Sequence, residues 1–157
     1  MDCSGFSLPI LRHYKLIREL APKSRNNRLR WMKHQLTATP KKGPRLIIWL
    51  LTPKCNLACS HCYTARFLGK GELEPNQALN IVKSAAEVGV RHIGFTGGEV
   101  FLRQDALALM GLASESGMST SVVTNGSMLD EEVVEKLAKY EVFTILSIDG
   151  ASTEKAC

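Results

Sequence analysis

No apolar stretch in this 157-residue sequence approaches the roughly 20 residues that a membrane-spanning helix needs. No segment at its start joins a basic region, an uninterrupted apolar run and a small-residue cleavage site, so a secretory signal is missing too. Cysteine is sparse, five residues in all, and three of them crowd together as Cys55, Cys59 and Cys62, where short spacing makes a disulfide framework awkward. These absences predict a soluble, cytoplasmic protein in a reducing compartment. Acidic residues are scarce in one region: residues 1–45 hold eleven Lys or Arg against Asp2 and Glu19, a net of +9, while the remainder holds nine against thirteen, a net of −4. The basic tract also lacks the aromatic interleaving of single-stranded nucleic-acid binders, so solvated charge is the simpler reading and no nucleic-acid partner is expected.

What is present, 45% hydrophobic and 22% charged residues, suffices for one core of ordinary domain size. Residues 1–45 read as a basic leader. In it Ile10, Leu11, Tyr14, Ile17 and Leu20 recur at helical steps with Arg12, Lys15, Arg18 and Glu19 opposite, an amphipathic helix ended by Pro22. Packing on the core is the favoured role for it, and an interfacial or partner-binding helix the alternative.

From residue 46 short apolar runs alternate with helical patterns. Leu46 to Leu51 predicts a first, buried strand, and Pro75 opens a helix running through Val88 with Gly89 at its cap. Strands follow at His92–Thr96, Thr120–Thr124 and Phe143–Ser147, separated by helices over about Asp105–Ser116 and Asp130–Tyr140. Three successive crossover units predict an α/β fold with a parallel sheet, a curling sheet or partial barrel whose post-strand loops gather on one rim where ligands bind. The unusual segments all fall after strands: Pro53–Tyr63, Gly97-Gly98-Glu99, Asn125-Gly126 and Asp149-Gly150.

The first of these loops reads C-x3-C-x2-C across Cys55, Cys59 and Cys62. Thiolates at such steps can wrap three corners of an iron–sulfur cubane, leaving the fourth iron open to a ligand. Zinc is the competing reading, with His61 or a distant cysteine as fourth ligand, although no second close cysteine pair follows.

At this point the sequence resembles the radical S-adenosylmethionine (radical SAM) superfamily, whose C-x3-C-x-aromatic-C hallmark is matched by Cys55, Cys59, His61 and Cys62. Gly97-Gly98-Glu99 resembles the family's glycine-glycine-glutamate motif, Thr124-Asn125-Gly126 the segment after its third strand, and Ser147-Ile148-Asp149-Gly150 its fourth. The likeness covers roughly residues 45–150, in family order and spacing. It departs at Val100, where the family usually has proline, and at His61, where tyrosine or phenylalanine is more frequent.

The resemblance implies a partial (β/α) barrel of the radical SAM type, truncated after about the fourth strand, with residues 46–157 forming the amino-terminal part of the core domain. It implies a 4Fe-4S cluster on Cys55, Cys59 and Cys62 that binds and reductively cleaves S-adenosyl-L-methionine, giving a 5′-deoxyadenosyl radical that abstracts hydrogen. His61, Gly97, Gly98, Glu99, Asn125 and Ser147 are the expected cofactor-binding residues. The reaction most resembles those of SPASM-type peptide maturases and of haem and cofactor-biosynthesis enzymes, on a peptide or tetrapyrrole precursor, with an electron donor such as ferredoxin or flavodoxin. A molybdenum-cofactor-type radical SAM cyclase is the enzymatic alternative, and a noncatalytic iron–sulfur or zinc-binding module the alternative of another class.

Physical roles follow for several of these residues. Gly97 and Gly98, lacking Cβ, let backbone approach a ligand closely. Glu99 offers a negative partner to an ammonium group, or else holds a neighbouring loop. Asn125 and Ser147 are hydrogen-bonding candidates for ribose or carboxylate oxygens, with an ordinary turn role as the alternative. Trp49 and Phe95 read as core, Tyr63 as a cluster shield or a packing residue, and His13, His34 and His92 have no ligand-spaced partner. Cys3 and Cys157 carry no assignable role.

Overall fold

Four apolar runs rich in β-branched residues form four strands, and the computed structural model, which describes residues 43–67 and 71–148, joins them into one sheet in the order β1-β2-β3-β4. They are β1 (Leu46–Thr52), β2 (His92–Gly97), β3 (Ser119–Thr124) and β4 (Phe143–Leu146), every neighbouring pair parallel. Parallel neighbours need crossovers, and helices α1 (Pro75–Glu87), α2 (Ala106–Glu115) and α3 (Glu131–Lys139) supply them. The expected leader helix, Cys3, His13, His34, the Asp149-Gly150 turn and Cys157 lie outside the described residues.

Local chemistry sets the helix bounds. Pro75 occupies the first turn of α1, and the Gln77 side chain accepts a hydrogen bond from Glu74 N at 3.1 Å. At α3 the Asp130 carboxylate accepts from Val133 N at 2.8 Å, Glu131 and Glu132 fill the first turn, and Lys136 and Lys139 the last, complementing the helix dipole. Asp105, expected inside α2, stands just before it, and its carboxylate is taken by Arg103 Nε at 2.6 Å and Nη2 at 2.9 Å. That pairing holds the buried Arg103 guanidinium above the ordinary arginine range.

The core lies on one face of the sheet, between it and the helices. Ile93, Phe95 and Val122 from the strands meet Ala78, Val82, Leu109, Met110, Val134 and Leu137 from the helices. Trp49 packs against this cluster with its ring 6.1 Å from that of Phe95. The pleat sends the alternate residues to the other face, where Ile48 is 62% exposed and Phe143 66%. The expectation of a buried first strand is therefore corrected: among the described residues β1 is an edge strand, and Leu46 and Ile48 face away from the helices. Down the middle of that open face runs a polar line. His92 Nδ1 and Nε2 each lie 2.9 Å from a serine hydroxyl, those of Ser119 and Ser121. Ser119 spends its proton on the Arg91 carbonyl at 3.1 Å, so it accepts from Nδ1–H and leaves the Nε2 lone pair to Ser121. Desolvation pushes the His92 pKa down.

Candidate cofactor site

The loops that follow the strands converge on one rim, as a parallel sheet requires. The cysteine loop leaves β1 with a change of register: after Leu50 pairs with Thr96, it is Thr52 that pairs with Gly97. The pairing then continues past the end of the strand. Gly98 N donates to Thr52 O and Glu99 N to Lys54 O, each at 2.8 Å, so the Gly-Gly-Glu backbone lies along the entrance to the cysteine loop.

This contact explains the two glycines. Gly97 sits at φ +147, and a Cβ there would fall on Thr52 O; at Gly98 a Cβ would fall on Lys54 O and lie 3.0 Å from Cys55 Cβ. The close approach that two adjacent glycines signalled is made to this chain's own backbone at residues 52–55, where only an approach to a ligand was expected.

Glu99 is likewise placed as a loop holder. It is 0% exposed, and its carboxylate receives Asn125 N at 2.9 Å, Phe101 N at 3.1 Å and the Thr124 hydroxyl at 2.8 and 2.9 Å to its two oxygens. A charge so enclosed is stabilised by donors aimed at it, so the carboxylate faces the loop after β3 instead of an incoming ammonium group. Val100, the departure from the family's proline, is fully buried and opens a short 3-10 turn, Val100–Leu102, so it contributes packing where proline would contribute stiffness.

Asn125 joins the third loop to the first. Its amide nitrogen is 3.0 Å from Asn56 Oδ1 and 3.9 Å from Cys55 Sγ, while its Oδ1 accepts from Ser127 N at 2.9 Å and from Ser127 Oγ at 2.6 Å. Asn56 Nδ2 closes the ring on Ser127 Oγ at 2.8 Å. Ser147 stands exposed after β4, tied through its backbone N to Thr124 O at 2.9 Å, and His61 is exposed within the cysteine loop. Sequence reasoning missed Asn56, Ser127 and Thr52, each a small polar residue beside a motif, the one signal that pointed to them; Thr124 enters there only as part of the third-strand motif, without a role of its own.

None of Cys55, Cys59 and Cys62 is in a disulfide, and each is part-buried. Cys55 Sγ accepts from Leu57 N at 3.4 Å, and Cys62 Sγ lies 3.0 Å from the Thr64 hydroxyl, whose hydrogen bond draws the Cys62 pKa down. Among the described residues no three His, Cys, Asp or Glu side chains converge as a single-ion site. The donor set suits a cluster: three soft sulfur ligands on one loop, each able to take a different iron, with Leu57 N–H directed at Cys55 Sγ and the Thr64 hydroxyl beside Cys62 Sγ. On the other side of the loop, Thr52 donates to Glu72, and Lys54 Nζ lies 3.4 Å from Glu72 Oε1. Tyr63, just after Cys62, is half-exposed and bonds Thr96 Oγ1 at 2.8 Å, which ties the loop's far end to β2.

A parallel α/β sheet carrying a cysteine loop on its carboxyl rim, clamped by a Gly-Gly-Glu segment, is the arrangement of a metal-cofactor site on a partial barrel. The chain belongs to the Radical SAM superfamily, whose family model matches residues 49–155. Membership implies a 4Fe-4S cluster and S-adenosylmethionine as cofactors. It is 37% identical over 115 residues to the AdoMet-dependent heme synthase of Methanosarcina barkeri (strain Fusaro / DSM 804), covering 71% of this chain and 33% of that protein. Over 109 residues it is 37% identical to the PqqA peptide cyclase of Granulibacter bethesdensis (strain ATCC BAA-1260 / CGDNIH1), covering 68% and 29%. The fold matches Streptococcus suis SuiB bound to its precursor peptide SuiA with a TM-score of 0.64 at 23% identity, over 84% of this chain and 30% of SuiB. The chain thus spans a third or less of each relative.

Proposed function

We propose that this chain forms the cluster- and S-adenosylmethionine-binding part of a radical SAM oxidoreductase or maturase acting on a peptide or a tetrapyrrole-type precursor. The observation that carries it is the seating of the Cys55–Cys62 loop directly on the Gly97-Gly98-Glu99 backbone, through Gly98 N to Thr52 O and Glu99 N to Lys54 O. A zinc module or electron carrier has no need of this second loop beside its thiolates.

Cys55, Cys59 and Cys62 would hold three irons. When bound, cluster and S-adenosylmethionine supply reductive carbon–sulfur cleavage, the source of a hydrogen-abstracting radical. The chain's own residues do the positioning. Leu57 N and the Thr64 hydroxyl orient the sulfurs of Cys55 and Cys62, and Glu99 fixes the Thr124-Asn125 turn against the cysteine loop. The substrate would approach the carboxyl rim of the sheet, where the cysteine loop and the Gly-Gly-Glu segment meet. The relatives named for haem synthesis and for peptide cyclisation support the two substrate classes.

The test is anaerobic reconstitution of the whole protein with iron and sulfide, followed by dithionite and S-adenosylmethionine. Accumulation of 5′-deoxyadenosine is expected. A complete cluster that yields none would sink the radical reading, and stoichiometric zinc in place of iron would favour the interaction module.

A further inference from the structure

Resting on that reading, we propose that Asn125 is a positioning residue for the cluster: its side-chain amide is a second N–H donor to the sulfur of Cys55 and raises the cluster's reduction potential.

The orientation of the amide is fixed by its partners. Ser127 N, which can only donate, lies 2.9 Å from Asn125 Oδ1, so that atom is the oxygen and the NH2 group faces the cysteine loop. One of its protons goes to Asn56 Oδ1 at 3.0 Å; the other points to Cys55 Sγ at 3.9 Å, a long contact beside the 3.4 Å one from Leu57 N. The backbone of Asn125 is anchored from beneath, its N–H on the buried Glu99 carboxylate at 2.9 Å. The side chain is therefore held at both ends and aimed at one ligand sulfur. Donors directed at cluster sulfurs stabilise the more negative, reduced state, and a donor held rigidly just behind a ligand sulfur is the usual means of such tuning.

Two jobs must be separated: the clasp between loops and the donor to sulfur. Ser127→Ala opens the clasp, removing the bonds of Ser127 Oγ to Asn125 Oδ1 and Asn56 Nδ2, yet leaves Ser127 N to hold the amide in place. Asn125→Ser and Asn125→Ala remove the donor itself. The whole protein is reconstituted anaerobically, its iron and sulfide are counted, and its midpoint potential is read by EPR-monitored titration. We expect both Asn125 variants to take up the wild-type complement of iron and to titrate at a more negative potential, while Ser127→Ala keeps the wild-type potential. Three results overturn the proposal: unchanged potentials in the Asn125 variants, an equal shift in Ser127→Ala, or Asn125 variants that assemble no cluster. A wild-type protein that itself assembles no iron–sulfur cluster removes the parent reading, whereas a wild-type cluster with unshifted Asn125 variants removes this one alone.

Discussion

The Thr124 hydroxyl lies 2.8 and 2.9 Å from the two carboxylate oxygens of Glu99, twenty-five residues away in sequence and wholly buried. Together with Asn125 N and Phe101 N it leaves Glu99 surrounded by donors. A carboxylate in that setting is a structural keystone for the rim.

Glu99→Gln keeps the size of the side chain but turns an NH2 group toward donors that have nowhere else to bond. Each stranded buried donor costs about 1–3 kcal/mol, so urea unfolding should show a drop of that order. Glu99→Ala, which strands all of them, should lose more. Wild-type stability in the Gln variant, with weakened S-adenosylmethionine binding, would return Glu99 to the ligand role first expected of it.

Gly98→Ala places a methyl group on the Lys54 carbonyl and against Cys55. The atoms it would meet are the Lys54 carbonyl and the Cβ of Cys55, neither of them the far end of a flexible side chain, so little can give. A destabilisation on the order of 3 kcal/mol, with lost iron uptake even where folded protein is recovered, is expected from overpacking of this kind. Thermal unfolding and iron analysis of the same preparation check both parts.

The Pro-opened helix, the four strands and the rim position of the first three post-strand motifs were legible in sequence, because periodicity and punctuation are local signals. What the glycines approach was not. Adjacent glycines announce a close contact, yet whether the partner is ligand or chain depends on where Thr52 and Lys54 arrive, and that is set by the β1–β2 register. The exposure of Ile48 and Phe143 was equally hidden, since an apolar run reads alike whether one face or both are covered. Asn56 and Ser127 gave no periodic signal and gain meaning only from Asn125 arriving between them.

His92 gives a pH prediction. Its folded pKa lies below the usual value because burial disfavours the charged ring, so the unfolded chain binds more protons across the gap between the two values. The neutral histidine contributes its full stability above about pH 6.5, and that contribution is lost as pH falls toward the folded pKa. Relative to His92→Gln, the wild-type protein should therefore lose stability between pH 7.5 and pH 5.5. Urea midpoints that differ by the same amount at both pH values would contradict this.

Asp130 caps α3 through a 2.8 Å bond to Val133 N. Asp130→Ala should lower stability by about 1 kcal/mol and leave iron uptake unchanged, because its carboxylate bonds its own helix and not the cysteine loop. Asp130→Asn should recover most of the loss, as the amide oxygen can still accept.

The direct pairing of Gly98 and Glu99 with Thr52 and Lys54 also bears on synthesis at the ribosome. The cysteines emerge first, but the backbone that seats their loop follows more than thirty residues later, and the Asn125 clasp later still. A nascent chain thus presents three thiolates before the frame that shapes them exists. On the proposed reading, a cluster loaded before translation has passed β3 would meet an unformed loop.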